Sequence, residues 1–141
     1  MKQNSVTRQI AGPPDRIWPI LTDADALVRG NTGITRIDGQ IAKGNTISLI
    51  NSVAPDRAFK IKITALDPAT GMVWEGGMPL RLFHGRRVFT VDATATGSQF
   101  TMTETYTGPL VGLMWRVMPD LAPSFETFAN GLAELAEGGT K

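Results

Sequence analysis

After a short alternating start at Val6, Arg8 and Ile10, the apolar spacing is helical, then alternating through the middle of the chain, then helical again. Gly12-Pro13-Pro14 ends the first strand, and the prolines suit the opening turn of a helix. Ile17, Trp18, Ile20 and Leu21 give that helix an apolar face, which Pro19 is expected to bend or cut short. Asp23 is placed to cap a second short helix through Leu27 and Val28, closed near Gly30 or Gly33. Strands are predicted at Ile34–Asp38, 45–51, 57–66, 72–76, 86–93 and 99–107. Their connections are short and rich in Gly, Pro, Asp and Thr, too short for crossover helices, so the sheet is expected to be antiparallel.

The end of the chain carries Phe125, Phe128, Leu132 and Leu135 at three- and four-residue steps, one apolar stripe of a long helix. Asp120 or Ser124 could cap it, and Gly138-Gly139 stops it. Residues 110–118 read as a separate or kinked helical piece, interrupted at Pro119. With no internal repeat and no linker, residues 1–141 read as one domain.

Alternation also assigns faces. Phe100, Met102, Glu104 and Tyr106 share one side of the last strand, and Thr101, Thr103, Thr105 and Thr107 the other. The threonine row suits a solvated surface, which turns the first row inward. A four-residue turn at 94–97 sets Val91 opposite Phe100, Phe89 opposite Met102 and Arg87 opposite Glu104. In the preceding hairpin Phe59, Ile61, Ile63 and Ala65 face inward, with Ile63 expected opposite Trp74 and Ala65 opposite Met72. A sheet with one apolar face and one amphipathic helix implies that the sheet curls around the helix.

This order of elements resembles the helix-grip fold of the START domains, the birch-pollen allergens and the polyketide cyclase/dehydrase group, together the SRPBCC proteins. The local signatures that carry the resemblance are Pro14-Asp15-Arg16-Ile17-Trp18 with Leu21-Thr22-Asp23, Val73-Trp74-Glu75-Gly76-Gly77, and Phe83-His84-Gly85-Arg86-Arg87-Val88-Phe89. Two more are the stretch from Phe100 through Tyr106 to Leu110, and Phe125-Glu126-Thr127-Phe128 with Leu132 and Ala136-Glu137. The resemblance implies an α+β helix-grip fold: a curved seven-stranded antiparallel sheet around a long C-terminal helix, with two short helices after the first strand. It also implies a deep, mostly apolar cavity, shared by carriers, receptors and ring-closing enzymes alike. Where relatives often carry His, two residues after the glycine, this chain has Arg87.

Composition narrows the chemistry. A net charge of +1 removes the electrostatic footprint of a general nucleic-acid binder. The absence of cysteine excludes disulfides, thiol chemistry and thiolate zinc sites. No ligand spacing such as HExxH and no phosphate-binding glycine loop occurs, so no metal and no cofactor is expected. With neither a leader-like start nor a long apolar run, a cytoplasmic protein without stable membrane insertion is expected.

Arg87 and Glu104 are the candidate catalytic or anchoring residues. A carboxylate facing an apolar interior is costly unless paired, so the two read either as a ligand's polar anchor or as a buried ion pair closing the core. In a catalytic version Glu104 accepts a proton and Arg87 stabilises an enolate-like oxygen. Trp74, Phe89, Met102, Tyr106, Phe59, Ile61 and Phe128 are candidate ligand contacts on the inner face, as are Leu82, Phe83 and His84 in a Gly-flanked loop over 76–85. That loop reads as a lid or as a partner surface. Three functions follow: a carrier or sensor of a small hydrophobic molecule with one polar end; a cyclase/dehydratase-like enzyme using Arg87 and Glu104; or a co-chaperone-like interaction module. The expected partner is the small molecule, with no nucleic acid, and a homodimer stays open.

Overall fold

Pro14 enters the first helix at a position where its missing N–H costs nothing, and Asp23 starts the second by accepting the Ala26 amide at 3.2 Å. In the computed structural model, which describes residues 1–118 and 120–138, these two helices follow one strand and precede six more. The elements are β1 (Lys2–Ile10), α1 (Pro14–Leu21), α2 (Ala24–Arg29), β2 (Ile34–Asp38), β3 (Thr46–Asn51), β4 (Phe59–Asp67) and β5 (Gly71–Gly77). They continue with β6 (His84–Thr94), β7 (Gly97–Thr107), α3 (Val111–Val117) and α4 (Ala122–Gly138). Pro19 lies inside α1, which continues two residues beyond it and closes when Thr22 bonds back to the Trp18 carbonyl through both its amide and its hydroxyl. The expected break at Pro119 and stop at Gly139 lie outside the described residues; Asp120 accepts the Ala122 amide at the start of α4.

All seven strands form one antiparallel sheet in the order β1-β7-β6-β5-β4-β3-β2. Because directions alternate, the turns 39–45, 68–70 and 95–96 gather at one end with α1 and the finish of α4. The loops 52–58 and 78–83, with α3 and the start of α4, gather at the other, called here the loop end.

The β6–β7 register is the predicted one, with Val91 opposite Phe100, Phe89 opposite Met102 and Arg87 opposite Glu104. The β4–β5 register departs from expectation. Ile63 does face Trp74, but a bulge at Thr64 then sets Ala65 against Val73 and Leu66 against Met72. One extra residue reverses the alternation, so Leu66 rather than Ala65 packs against the core. Phe59 keeps the predicted face, opposite the buried Leu49, but lies at the margin of the sheet, 40% exposed at the start of β4 beneath the Arg57 guanidinium.

α4 lays Phe125, Phe128, Leu132 and Ala136 against the concave face of the sheet. Its backbone comes close to the α2–β2 connection at Gly131, where a Cβ would run into the Asn31 carbonyl. Farther along, Glu134 accepts from the Asn31 side chain and Glu137 from the Ala11 amide, tying both connections to the helix.

Candidate ligand site at the loop end

Four adjacent strands place one polar row across the inner face. Asn4 of β1 stands opposite Glu104 of β7, Glu104 opposite Arg87 of β6, and Arg87 opposite Trp74 of β5. Arg87 donates from Nε to Glu104 Oε1 at 2.6 Å, and its guanidinium carbon lies 4.7 Å from the centre of the Phe125 ring on α4. Both side chains of the pair are about one-fifth exposed, so the charges are shielded but keep contact with water. Gly85 makes room for the carboxylate, since a Cβ there would collide with Glu104 Oε2. Trp74 is buried, and its indole N–H has no partner among the described residues.

Next along the same face, the Asn4 amide donates to the Tyr106 hydroxyl at 3.4 Å. Tyr106 is buried between Phe83, whose ring stacks on it at 5.7 Å, and Trp115 of α3 at 5.3 Å. Burial, helped by the Glu104 carboxylate, pushes its phenol up to about 12. A space of about 170 Å³ opens beside this group, lined by Asn4, Trp115, Met118, Asp120 and Leu121. At roughly 30 Å³ per water it has room for a ring-sized group. A wider cleft of about 640 Å³ lies at the opposite end between α1 and the turns, bordered by Asp15, Trp18, Thr22, Gln40, Ile41 and Leu66.

Between the two spaces the grip is filled. Trp74 and Phe89 meet at 4.8 Å, and Phe89, Phe100 and Phe128 close a triangle with centroids 6.0–6.5 Å apart. Phe89, Phe100 and Met102 are 0% exposed. A side chain bordering a water-sized void would show area to it, so these residues pack against protein atoms. At Phe89, Met102 and Phe128 the expected hollow interior is instead a packed centre, with open space at its ends.

The remaining candidates divide. Leu82 and Phe83 lie at the loop end, Phe83 on Tyr106 and the Leu82 carbonyl accepting from the Leu110 amide. Ile61 is half-buried at the core margin. His84 belongs to the opposite, convex face, where its Nε2 lies 2.9 Å from Glu75 Oε1. Glu75 Oε2 accepts from Thr64 at 2.8 Å, and these bonds, with Arg86 nearby, hold its carboxyl below the usual range. In the sequence Glu75 stands out only as part of the signature Val73-Trp74-Glu75-Gly76-Gly77 and not as a site residue, although alternation with Trp74 puts it on the same outward face as His84.

The family model "Polyketide cyclase / dehydrase and lipid transport" matches residues 1–137, and the chain belongs to that family. A search of curated protein sequences gives no match. Among solved structures, the Aha1 dimer from Colwellia psychrerythraea superposes with a TM-score of 0.76 at 19% identity, over 100% of both chains. Protein MLL2253 from Mesorhizobium loti gives 0.74 at 17% identity, covering 95% of this chain and 96% of its own. DynU16, a putative protein of the dynemicin biosynthetic locus, gives 0.74 at 15% identity, covering 99% of this chain and 48% of its own. At these identities the likeness carries the helix-grip fold. Among the described residues no helix is long and apolar enough to cross a membrane.

Proposed function

We propose that the chain binds a small, largely apolar molecule with a hydrogen-bond acceptor at its polar end, held where the Asn4–Glu104–Arg87–Trp74 row meets the space under α3. The observation that supports this most is the unpartnered indole N–H of Trp74 beside Arg87. A buried donor left unmet costs about 1–3 kcal/mol, so an acceptor delivered there recovers a penalty the fold already carries. Arg87 adds a charge-assisted donor, and Glu104 holds it in place through Nε. Tyr106, Phe83 and Trp115 supply aromatic walls for the apolar part. Because Trp74 is buried against Phe89, an acceptor reaches its N–H only when neighbouring side chains shift.

The test uses anilinonaphthalene sulfonate, which joins an apolar body to an anionic acceptor. Trp74→Phe removes the donor and keeps most of the ring volume; it is expected to weaken binding about fivefold to tenfold, the worth of one hydrogen bond. Trp18→Phe, which removes the unpartnered indole N–H by the opposite cleft, is the control and should leave affinity unchanged. Equal affinity of wild type and Trp74→Phe, or loss confined to Trp18→Phe, overturns the assignment. Native mass spectrometry of the protein from its own source then identifies the natural occupant.

A further inference from the structure

Loop 78–83 and α3 form one exposed unit at the loop end. The Leu110 amide bonds the Leu82 carbonyl at 2.9 Å, and Gly108 sits so close to the Arg81 and Leu82 carbonyls that a Cβ there would clash. This unit displays apolar side chains outward. Leu80 is 91% exposed at the tip of the short 3-10 turn Pro79–Arg81, and Met78 is exposed at its start. On α3, Val111 turns inward while Leu113 and Val117, four residues apart on one face, are 57% and 67% exposed. The turn is also strained. Leu80 and Arg81 have φ of 60° and 53°, left-handed values that non-glycine residues rarely adopt.

The charged residues of the unit itself are all basic. Arg81 and Arg116 lie within the unit, and the Lys2 ammonium sits 5.9 Å from the Trp115 ring that backs α3. Neither 78–84 nor 107–118 contains an acidic residue; Asp120 follows just beyond, exposed. Single protruding apolar tips ringed by cations do not form a groove for a peptide, and two such basic faces would repel each other as a dimer interface. They fit a fluid, negatively charged surface, into which isolated leucines can insert without a matching pocket.

We propose that loop 78–83 and α3 dock this protein on anionic lipid bilayers, with Leu80, Leu113 and Val117 entering the interface and Arg81, Arg116 and Lys2 meeting headgroups. The docked end is the one that holds the polar row, but the inference stands on exposure, strain and charge and does not depend on an occupant there.

The experiment is co-sedimentation of the full chain with large vesicles of phosphatidylcholine containing phosphatidylglycerol, against vesicles of phosphatidylcholine alone. Wild type is expected to partition to the anionic vesicles and to release as salt is raised. Leu80→Asp and the double variant Leu113→Asp/Val117→Asp should each lower partitioning at least about tenfold. Arg81→Gln and Arg116→Gln should lower it about fivefold each, the equivalent of one cation at a charged membrane. All of these positions are exposed, so circular dichroism should be unchanged, and Thr94→Asp, in the turn at the opposite end, is the control. No sedimentation of wild type with anionic vesicles overturns the proposal, as does binding insensitive to Leu80→Asp and Leu113→Asp/Val117→Asp. Self-association or capture of an acidic protein through the same residues, without vesicle binding, overturns it in favour of a protein partner. None of these variants touches Trp74 or Arg87, so this result and the dye titration can fail separately.

Discussion

Arg87 and Glu104 pair across β6 and β7 at 2.6 Å, under the Phe125 ring, in the middle of the polar row that crosses the inner face of the sheet. The pair is shielded enough that removing one charge leaves the other poorly solvated, yet open enough to escape the full penalty of deep burial. Arg87→Met is therefore expected to destabilise by about 1–3 kcal/mol, the range for losing a hydrogen bond to a charged group. Glu104→Gln keeps a neutral acceptor and should cost less. In urea unfolding, the double variant should recover part of the combined loss, with a coupling of about 1–2 kcal/mol. Strict additivity would mean that the two side chains act independently.

Gly85 gives the same pair a second handle. Its missing Cβ is the space that the Glu104 carboxylate occupies. Gly85→Ala should push that carboxylate aside and lengthen the pair without changing any charge. Its destabilisation should largely vanish in a Glu104→Ala background, since the clash disappears with the carboxylate. A Gly85→Ala cost that persists in that background would place the strain in the backbone instead.

Filling of the grip by aromatic rings makes a quantitative demand on the core. Phe128 touches the rings of both Phe89 and Phe100 and is buried. Phe128→Ala should cost about 3–5 kcal/mol in chemical denaturation, as for other buried aromatic truncations. Removal of the exposed Leu80 side chain should stay within about 0.5 kcal/mol. A small cost at Phe128 would show that the centre is looser than its packing.

Such particulars also mark where sequence reasoning stops. The β6–β7 register was legible because a short turn leaves one pairing that puts the threonines outside and Phe89 with Met102 inside. The bulge at Thr64 was not legible, because no glycine marks it and both registers bury an apolar residue, Ala65 or Leu66. Alternation placed Arg87, Glu104 and Trp74 on one face, but it carries no information on volume, so it could not say that Phe89, Phe100 and Phe128 would meet and fill the centre. Asn4 escaped notice for another reason: its place beside Glu104 depends on how β1 joins β7, a pairing about a hundred residues apart in sequence.

Tyr106 allows a direct reading of the site's polarity. It is the chain's single tyrosine, so the phenolate absorbance near 295 nm belongs to it alone. Burial and the neighbouring Glu104 disfavour the phenolate and raise the group to about 12, against an ordinary value of 10.0. The folded protein should thus show little phenolate at pH 10 to 11, and the urea-unfolded chain should titrate normally. A raised native value means that Tyr106's contribution to stability is complete below about pH 10 and is lost as pH rises toward 12. Phenolate appearing at pH 10 in the folded protein would place the ring in water.

On the convex face the sign reverses. Glu75 is held below its ordinary 4.5, first by its bond to His84 and then by Thr64, with desolvation opposing. A lowered native value makes the carboxylate's contribution complete above the unfolded value and lost as pH falls through the native one. Glu75→Gln removes the titrating group and keeps a side chain that can still bond Thr64. The stability of wild type relative to Glu75→Gln should therefore shrink as pH falls between about pH 5 and pH 3. Urea midpoints taken across that range for both proteins measure the difference, in which the other carboxylates cancel. A gap that stays constant down to pH 3 would mean that the His84 and Thr64 bonds do not favour the ionised form of Glu75.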